Sequence, residues 1–154
     1  MSGIFRSFKC AFNGIVSAVK TQRNMRIHII AIIYVTAFSL FYDFSNFQYT
    51  ILILIFLIVV SLELINTAIE SVVDICSPQY SKLAKMAKDC AAGAVLVSAI
   101  GAVVIGVLLF ADITVLKKII DYYQSHIIAL GGFAVSCILA ILFVINPFNN
   151  AKGK

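Results

Sequence analysis

"FQYTILILIFLIVVSLELINTAIESVVD", residues 47–74, decides how the chain is read. From Phe47 to Leu62 it carries no charge. From Glu63 to Asp74 it carries three carboxylates and an asparagine: Glu63, Asn66, Glu70 and Asp74. A helix needs about 20 mostly apolar residues to cross the hydrocarbon of a bilayer. The run is therefore predicted to cross as a helix that continues through Glu63 toward Val73. No segment alternates polar and apolar as a barrel strand would, and only helices or closed barrels satisfy their backbone in lipid.

The rest of the chain agrees. It has 154 residues, 62% of them hydrophobic, and a mean hydropathy of +1.03. Soluble domains are roughly half apolar. Four spans are predicted: Ile27 to Phe41, Phe47 to Leu62 with its continuation, Cys90 to Phe110, and Ile127 to Ile145. The first is short and is read as continuing an upstream helix. There is no internal repeat and no low-complexity linker. The fold class expected is an all-α membrane protein.

Lysine and arginine set the orientation. Arg6, Lys9, Lys20, Arg23 and Arg26 precede the first span, Lys82, Lys85 and Lys88 separate the second and third, and Lys152 and Lys154 close the chain. Lys117 and Lys118 fall on the other side. By the positive-inside rule both termini and the 75–89 loop are cytoplasmic, which an even number of spans also requires. The expected location is a bacterial cell membrane. The basic N-terminus has no continuous apolar core before a small-residue cleavage site, so it does not read as a signal peptide. Phe5, Phe8, Phe12, Ile15, Val16 and Val19 recur there at helical spacing among Arg6, Lys9, Asn13, Lys20 and Arg23. That pattern suits a helix lying on the inner leaflet or one packed on protein.

Cys10, Cys76, Cys90 and Cys137 have neither CxxC nor metal-site spacing and read as reduced packing residues. His28 and His126 stand at the starts of spans and read as structural.

The acidic stretch needs a reason. At about 100° per residue, Asn66, Glu70 and Asp74 fall about −60°, −20° and +20° from Glu63. All four share one narrow stripe. A carboxylate near the bilayer centre costs about 2.5–3.5 kcal/mol on insertion scales, and two on one face repel. A cation, a proton or a polar cavity must compensate. A metal–nucleotide site, a proton or ion pathway, and a structural seam between subunits could each use the stripe. Downstream, "AKMAKDCAAGAV" sets Lys88 and Asp89 at the mouth of the third span. Phosphoryl transfer wants such a pair: a lysine to hold the transferring phosphate and an acid to orient it or its metal. There is no GxxxxGK[ST] loop and no kinase-type GxGxxG, so a nucleotide site would be unconventional.

With "ELINTAIESVVD" and "AKDCAAGAV" in this order, and with "SFKCAFNGI" and "RNMRIH" upstream, residues 4 to 110 resemble the small prokaryotic diacylglycerol kinase family, which includes the undecaprenol kinases of Gram-positive bacteria. The resemblance implies an N-terminal surface helix and a three-span core, here followed by a fourth span, in a homotrimer with active sites shared between subunits. Residues 1–112 would form the kinase-like domain, and residues 113–154 an outer amphipathic segment, the extra span and a cytoplasmic tail. The activity implied is transfer of the γ-phosphate of ATP, with Mg²⁺, to a lipid alcohol in the membrane. No nucleic-acid partner is expected. Carried over by motif, Glu63 is the general base, Asn66 positions it, Glu70 binds the metal, Asp74 lies near the nucleotide, and Lys88 meets the phosphates with Asp89 as its polar partner. Arg6 and Asn24 would lie near lipid or nucleotide. One departure stands out: the family's second metal-binding glutamate falls at Gln22, whose amide oxygen can bind Mg²⁺ but adds no charge. The motifs look closer to undecaprenol kinases, with diacylglycerol as the alternative acceptor. A proton-coupled transporter and a non-catalytic kinase derivative are the rivals from other classes.

Overall fold

The computed structural model describes residues 3–145. Six helices follow one another: α1 Gly3–Thr21, α2 Arg23–Ser39, α3 Asn46–Cys76, α4 Lys82–Phe110, α5 Ile113–Ser125 and α6 Ile127–Ile145. Among the described residues there is no strand. The tail "NPFNNAKGK", with Lys152 and Lys154, lies outside them.

Polar caps start the later helices. Ser45 and Gln48 form a capping box, in which Gln48 N–H donates to Ser45 Oγ at 3.4 Å and Ser45 N–H to Gln48 Oε1 at 2.9 Å. Ser81 Oγ accepts from Ala84 N–H, and Asp112 Oδ1 accepts from Thr114 and Val115 N–H. The Ser81 cap changes one expectation. The region read as the 75–89 loop is mostly helix: only residues 77–81 turn, and Lys82, Lys85 and Lys88 ride the first turns of α4.

Three helices, α3, α4 and α6, are long and apolar enough to cross a membrane. This is an all-α membrane protein. The segment expected as the first span begins earlier and ends sooner, at Arg23 and Ser39. Its 17 residues reach about 26 Å, just short of the hydrocarbon thickness.

The core lies mainly between α3 and α4, which touch more extensively than any other pair. On α3 the buried positions are Leu52, Ile55, Val59, Glu63 and Asn66. They fall on one helical stripe. The acidic residues therefore continue the face that packs the core, opposite the buried Ala91 and Val95 of α4. Tyr42 O–H donates to the Phe110 carbonyl at 3.1 Å and joins Phe44 around the Phe110 ring, tying the α2–α3 turn to the end of α4.

On α1 the apolar face is bare: Phe5, Phe8 and Phe12 are all exposed, and only Ala18 is buried. The chain's own helices do not cover that face. Cys10, Cys76 and Cys90 are also exposed, and Cys137 is half-buried. The first three sit on helix faces turned away from the core, so they are not the packing residues expected.

Candidate functional site

Down the stripe, burial falls off in order. Glu63 is 1% exposed and Asn66 6%, Glu70 is half-buried, and Asp74 is exposed. The stripe thus parts from its packing partners step by step toward the end of α3. Asn66 Nδ2 donates to Glu70 Oε1 at 3.1 Å, which aims the amide oxygen of Asn66 away from Glu70. Two buried oxygens then lack any partner, Glu63 Oε2 and Asn66 Oδ1. An unpaired buried polar group costs free energy. Two buried acceptors left bare call for a donor or a cation.

They stand beside a cavity of about 250 Å³ lined by Glu63, Asn66 and Glu70 of α3, by Asn24 and His28 of α2, and by small or apolar residues of α4. His28 is the residue that reading by motif missed. It lies one helical turn after Asn24, so a cavity-facing Asn24 brings it along. A larger cavity of about 680 Å³ between α2, α5 and α6 is lined by aromatic and aliphatic residues with no carboxylate, lysine or histidine. The chemistry belongs to the smaller one.

Lys88 does not pair with Asp89. Its Nζ donates to Asp74 Oδ1 at 2.8 Å. Residues i and i+1 on a helix point apart, so Asp89 faces a different, open cleft with Tyr80, Lys82 and Lys85. The Lys88–Asp74 pair joins α3 to α4 at the open end of the stripe. Both side chains meet solvent, so the pair adds little to stability. Lys88→Met is accordingly expected to leave the thermal midpoint unchanged. Thermal unfolding of the variant beside the wild type checks this.

Three expected site residues lie elsewhere. Arg6 is exposed on α1, Gln22 is the N-cap of α2 without a side-chain cap bond, and neither, like Asp89, lines the Glu63 cavity. Among the described residues no group of three or more histidine, cysteine, aspartate or glutamate side chains could hold a metal. The oxygens that are present still suit a hard cation: Glu63 Oε2 and Asn66 Oδ1 are bare, with the Glu70 carboxylate beside them. They fit Mg²⁺ that keeps several waters and substrate oxygens, as that ion commonly does.

Buried acidic and amide oxygens on a membrane helix, with the Lys88–Asp74 pair farther along the same stripe, define a polar site cut into a helical membrane protein. Residues 9–110 match the family model of prokaryotic diacylglycerol kinase, and the chain belongs to that family. It is 49% identical over 102 residues to a diacylglycerol kinase of Synechocystis sp., a match covering 65% of this chain and 58% of that protein. It is 39% identical over 110 residues to the undecaprenol kinase of Bacillus subtilis, covering 71% of this chain and 89% of the relative. The chain thus spans little more than half of the Synechocystis relative and most of the Bacillus one. A kinase family implies a nucleotide co-substrate.

Proposed function

We propose that this chain is an integral-membrane lipid kinase that transfers the γ-phosphate of ATP, with Mg²⁺, to a lipid alcohol at the cytoplasmic interface. The observation that carries the reading is the pair of bare buried oxygens of Glu63 and Asn66 in a cavity that Glu70 also lines, on the helix whose Asp74 holds Lys88.

The roles follow from depth. Glu63 is the deepest acid and meets the acceptor hydroxyl at headgroup level. It takes the hydroxyl proton as the lipid oxygen attacks the γ-phosphorus and the bond to the β,γ-bridging oxygen breaks, releasing ADP. Asn66, held by Glu70, offers its amide oxygen to the hydroxyl or the cation. Glu70 is the metal ligand; Mg²⁺, when bound, neutralises charge on the phosphate oxygens. Lys88, steadied by Asp74, meets the phosphates from the aqueous side. Asn24 and His28 close the cavity on the α2 face. Asp89, with Lys82 and Lys85 in the neighbouring cleft, lies on the nucleotide's approach. Arg6, far along α1, would serve lipid or nucleotide only from another subunit. A homotrimer with shared sites would also cover the bare face of α1.

Undecaprenol is the proposed acceptor and diacylglycerol the alternative. The Bacillus relative, named an undecaprenol kinase, is matched over 89% of its length. Purified protein with labelled ATP and Mg²⁺, offered both lipids side by side, tests the reading. Labelled undecaprenyl phosphate is expected; label in neither lipid overturns the proposal and favours a non-catalytic relative or a transporter. In the same assay Gln22→Glu is expected to lower the Mg²⁺ concentration at half-maximal rate by about tenfold, the worth of one added charge–metal contact of about 1.4 kcal/mol. An unchanged Mg²⁺ curve would separate Gln22 from the metal.

A further inference from the structure

Arg26 is 4% exposed and is not among the residues that carry the proposed chemistry. Its guanidinium makes four hydrogen bonds. Nη1 donates to the carbonyls of Val19 and Lys20 at 3.1 and 3.2 Å. Nε and Nη2 both donate to the carbonyl of Val144, at 3.2 and 3.1 Å. Val19 and Lys20 belong to the last turn of α1, which ends at Thr21, and Val144 to the last described turn of α6. Helix C-terminal carbonyls lack intrahelical partners and carry partial negative charge. One cation therefore caps the end of α1 and binds the last described turn of α6 from within a third helix. Among the described residues the ion pair is Lys88–Asp74, so the charge of Arg26 is met by carbonyls rather than by a carboxylate.

Arg26 lies two residues from Asn24 and two from His28, about 200° around α2 from each. Asn24 and His28 line the Glu63 cavity. The helix thus has two working sides, with the cavity on one and α6 on the other. Contact with α6 continues along its length: Tyr34 O–H lies 3.0 Å from Ser136 Oγ, and Tyr34 and Phe38 meet Phe133 edge-on. α2 touches α6 about as much as it touches α3, and its N-cap Gln22 makes no side-chain bond. Through Arg26 the first turn of α2 is tied to α1 and to α6. That helix lies beyond the residues that match the family.

We infer that α6 is a brace for the cavity-lining face of α2, and that Arg26 is the positioning residue through which the brace sets Asn24 and His28 against Glu63. The kinetic part rests on the lipid-kinase reading; the geometric part does not. Misplacing a site group by about 1 Å can cost about 10²-fold in rate. Arg26→Met is therefore expected to lower kcat by about ten- to a hundredfold with the nucleotide KM within about twofold. Arg26→Lys, which keeps three donors and the charge, is expected to recover most of the loss. Should Arg26→Met fail to fold, Arg26→Gln is read in its place, with a loss of at least about fivefold expected on the same reasoning. Wild-type kcat in the variant that folds overturns the inference.

The second arm needs no activity. The Tyr34 hydroxyl lies 3.8 Å from Cys137 Sγ. In full-length protein with Cys10, Cys76 and Cys90 replaced by serine, Cys137 is the one thiol left, half-buried against Tyr34. A maleimide is expected to label it slowly, and several-fold faster once Arg26→Met or Arg26→Gln is added. A labelling rate indifferent to Arg26 overturns the brace. If wild-type protein phosphorylates no lipid, the kinase reading fails while the thiol-labelling rate still tests the brace.

Discussion

Glu63→Gln is expected to lower lipid phosphorylation by about 10²–10⁴-fold, the range a positioned general base contributes, and at the same time to raise thermal stability. The two signs have one cause. Glu63 is 1% exposed, and its Oε2 has no partner. An ionised carboxylate there bears a desolvation cost that a neutral amide of the same shape largely avoids. The amide cannot accept the hydroxyl proton, so turnover falls. Asn66 and Glu70 remain hydrogen-bonded to each other, so the cavity keeps its form. Turnover and thermal unfolding in one detergent would be measured together. A variant that loses stability and activity in parallel would mark Glu63 as a packing residue; full turnover would remove it from the reaction.

Glu70→Ala is the second large effect. Glu70 has two tasks that the two substitutions separate. Its carboxylate accepts from Asn66 Nδ2 at 3.1 Å, which turns the bare amide oxygen of Asn66 into the cavity, and its charge is proposed to hold the cation. Glu70→Ala removes both and is expected to abolish phosphorylation, by about 10³-fold or more, since losing even one preorganised electrostatic contact costs about 10²–10³. Glu70→Gln keeps an acceptor oxygen for Asn66 but not the charge. It is expected to retain a low rate that climbs with added Mg²⁺. A Mg²⁺ titration of both variants against the wild type distinguishes them, and near-normal turnover in Glu70→Ala would take the metal role away from this residue.

Much of this site was legible in the sequence because it lies along one helix. Glu63, Asn66, Glu70 and Asp74 are fixed relative to each other by the helical period alone. The start of α6 was legible for a similar reason: a mostly apolar run opens at Ile127, directly after His126. What escaped sequence reading depends on contacts between helices. Lys88 and Asp89 are neighbours in sequence, yet the pair that forms is Lys88–Asp74 across α3 and α4. His28 looked like an isolated histidine at the start of a span until α2 was set against α3. Arg26 looked like one of several cations obeying the positive-inside rule; only the meeting of α1, α2 and α6 reveals its three carbonyl partners. Gln22 was placed in the metal set by resemblance to the family, and its position as the N-cap of α2 leaves that role to the Mg²⁺ titration.

The short turn at 77–81 also bears on biogenesis. α3 ends at Cys76 and α4 begins at Lys82, so the two reach the bilayer as a folded-back unit, one directly after the other. A nascent chain arrested before α4 would present Glu63 to lipid, at a cost of at most about 2.5–3.5 kcal/mol, the ceiling set by a charged residue at mid-depth. With α4 synthesised, Ala91 and Val95 pack against that face and Lys88 reaches Asp74. Translation order thus delivers the shield for the acid immediately after the acid itself.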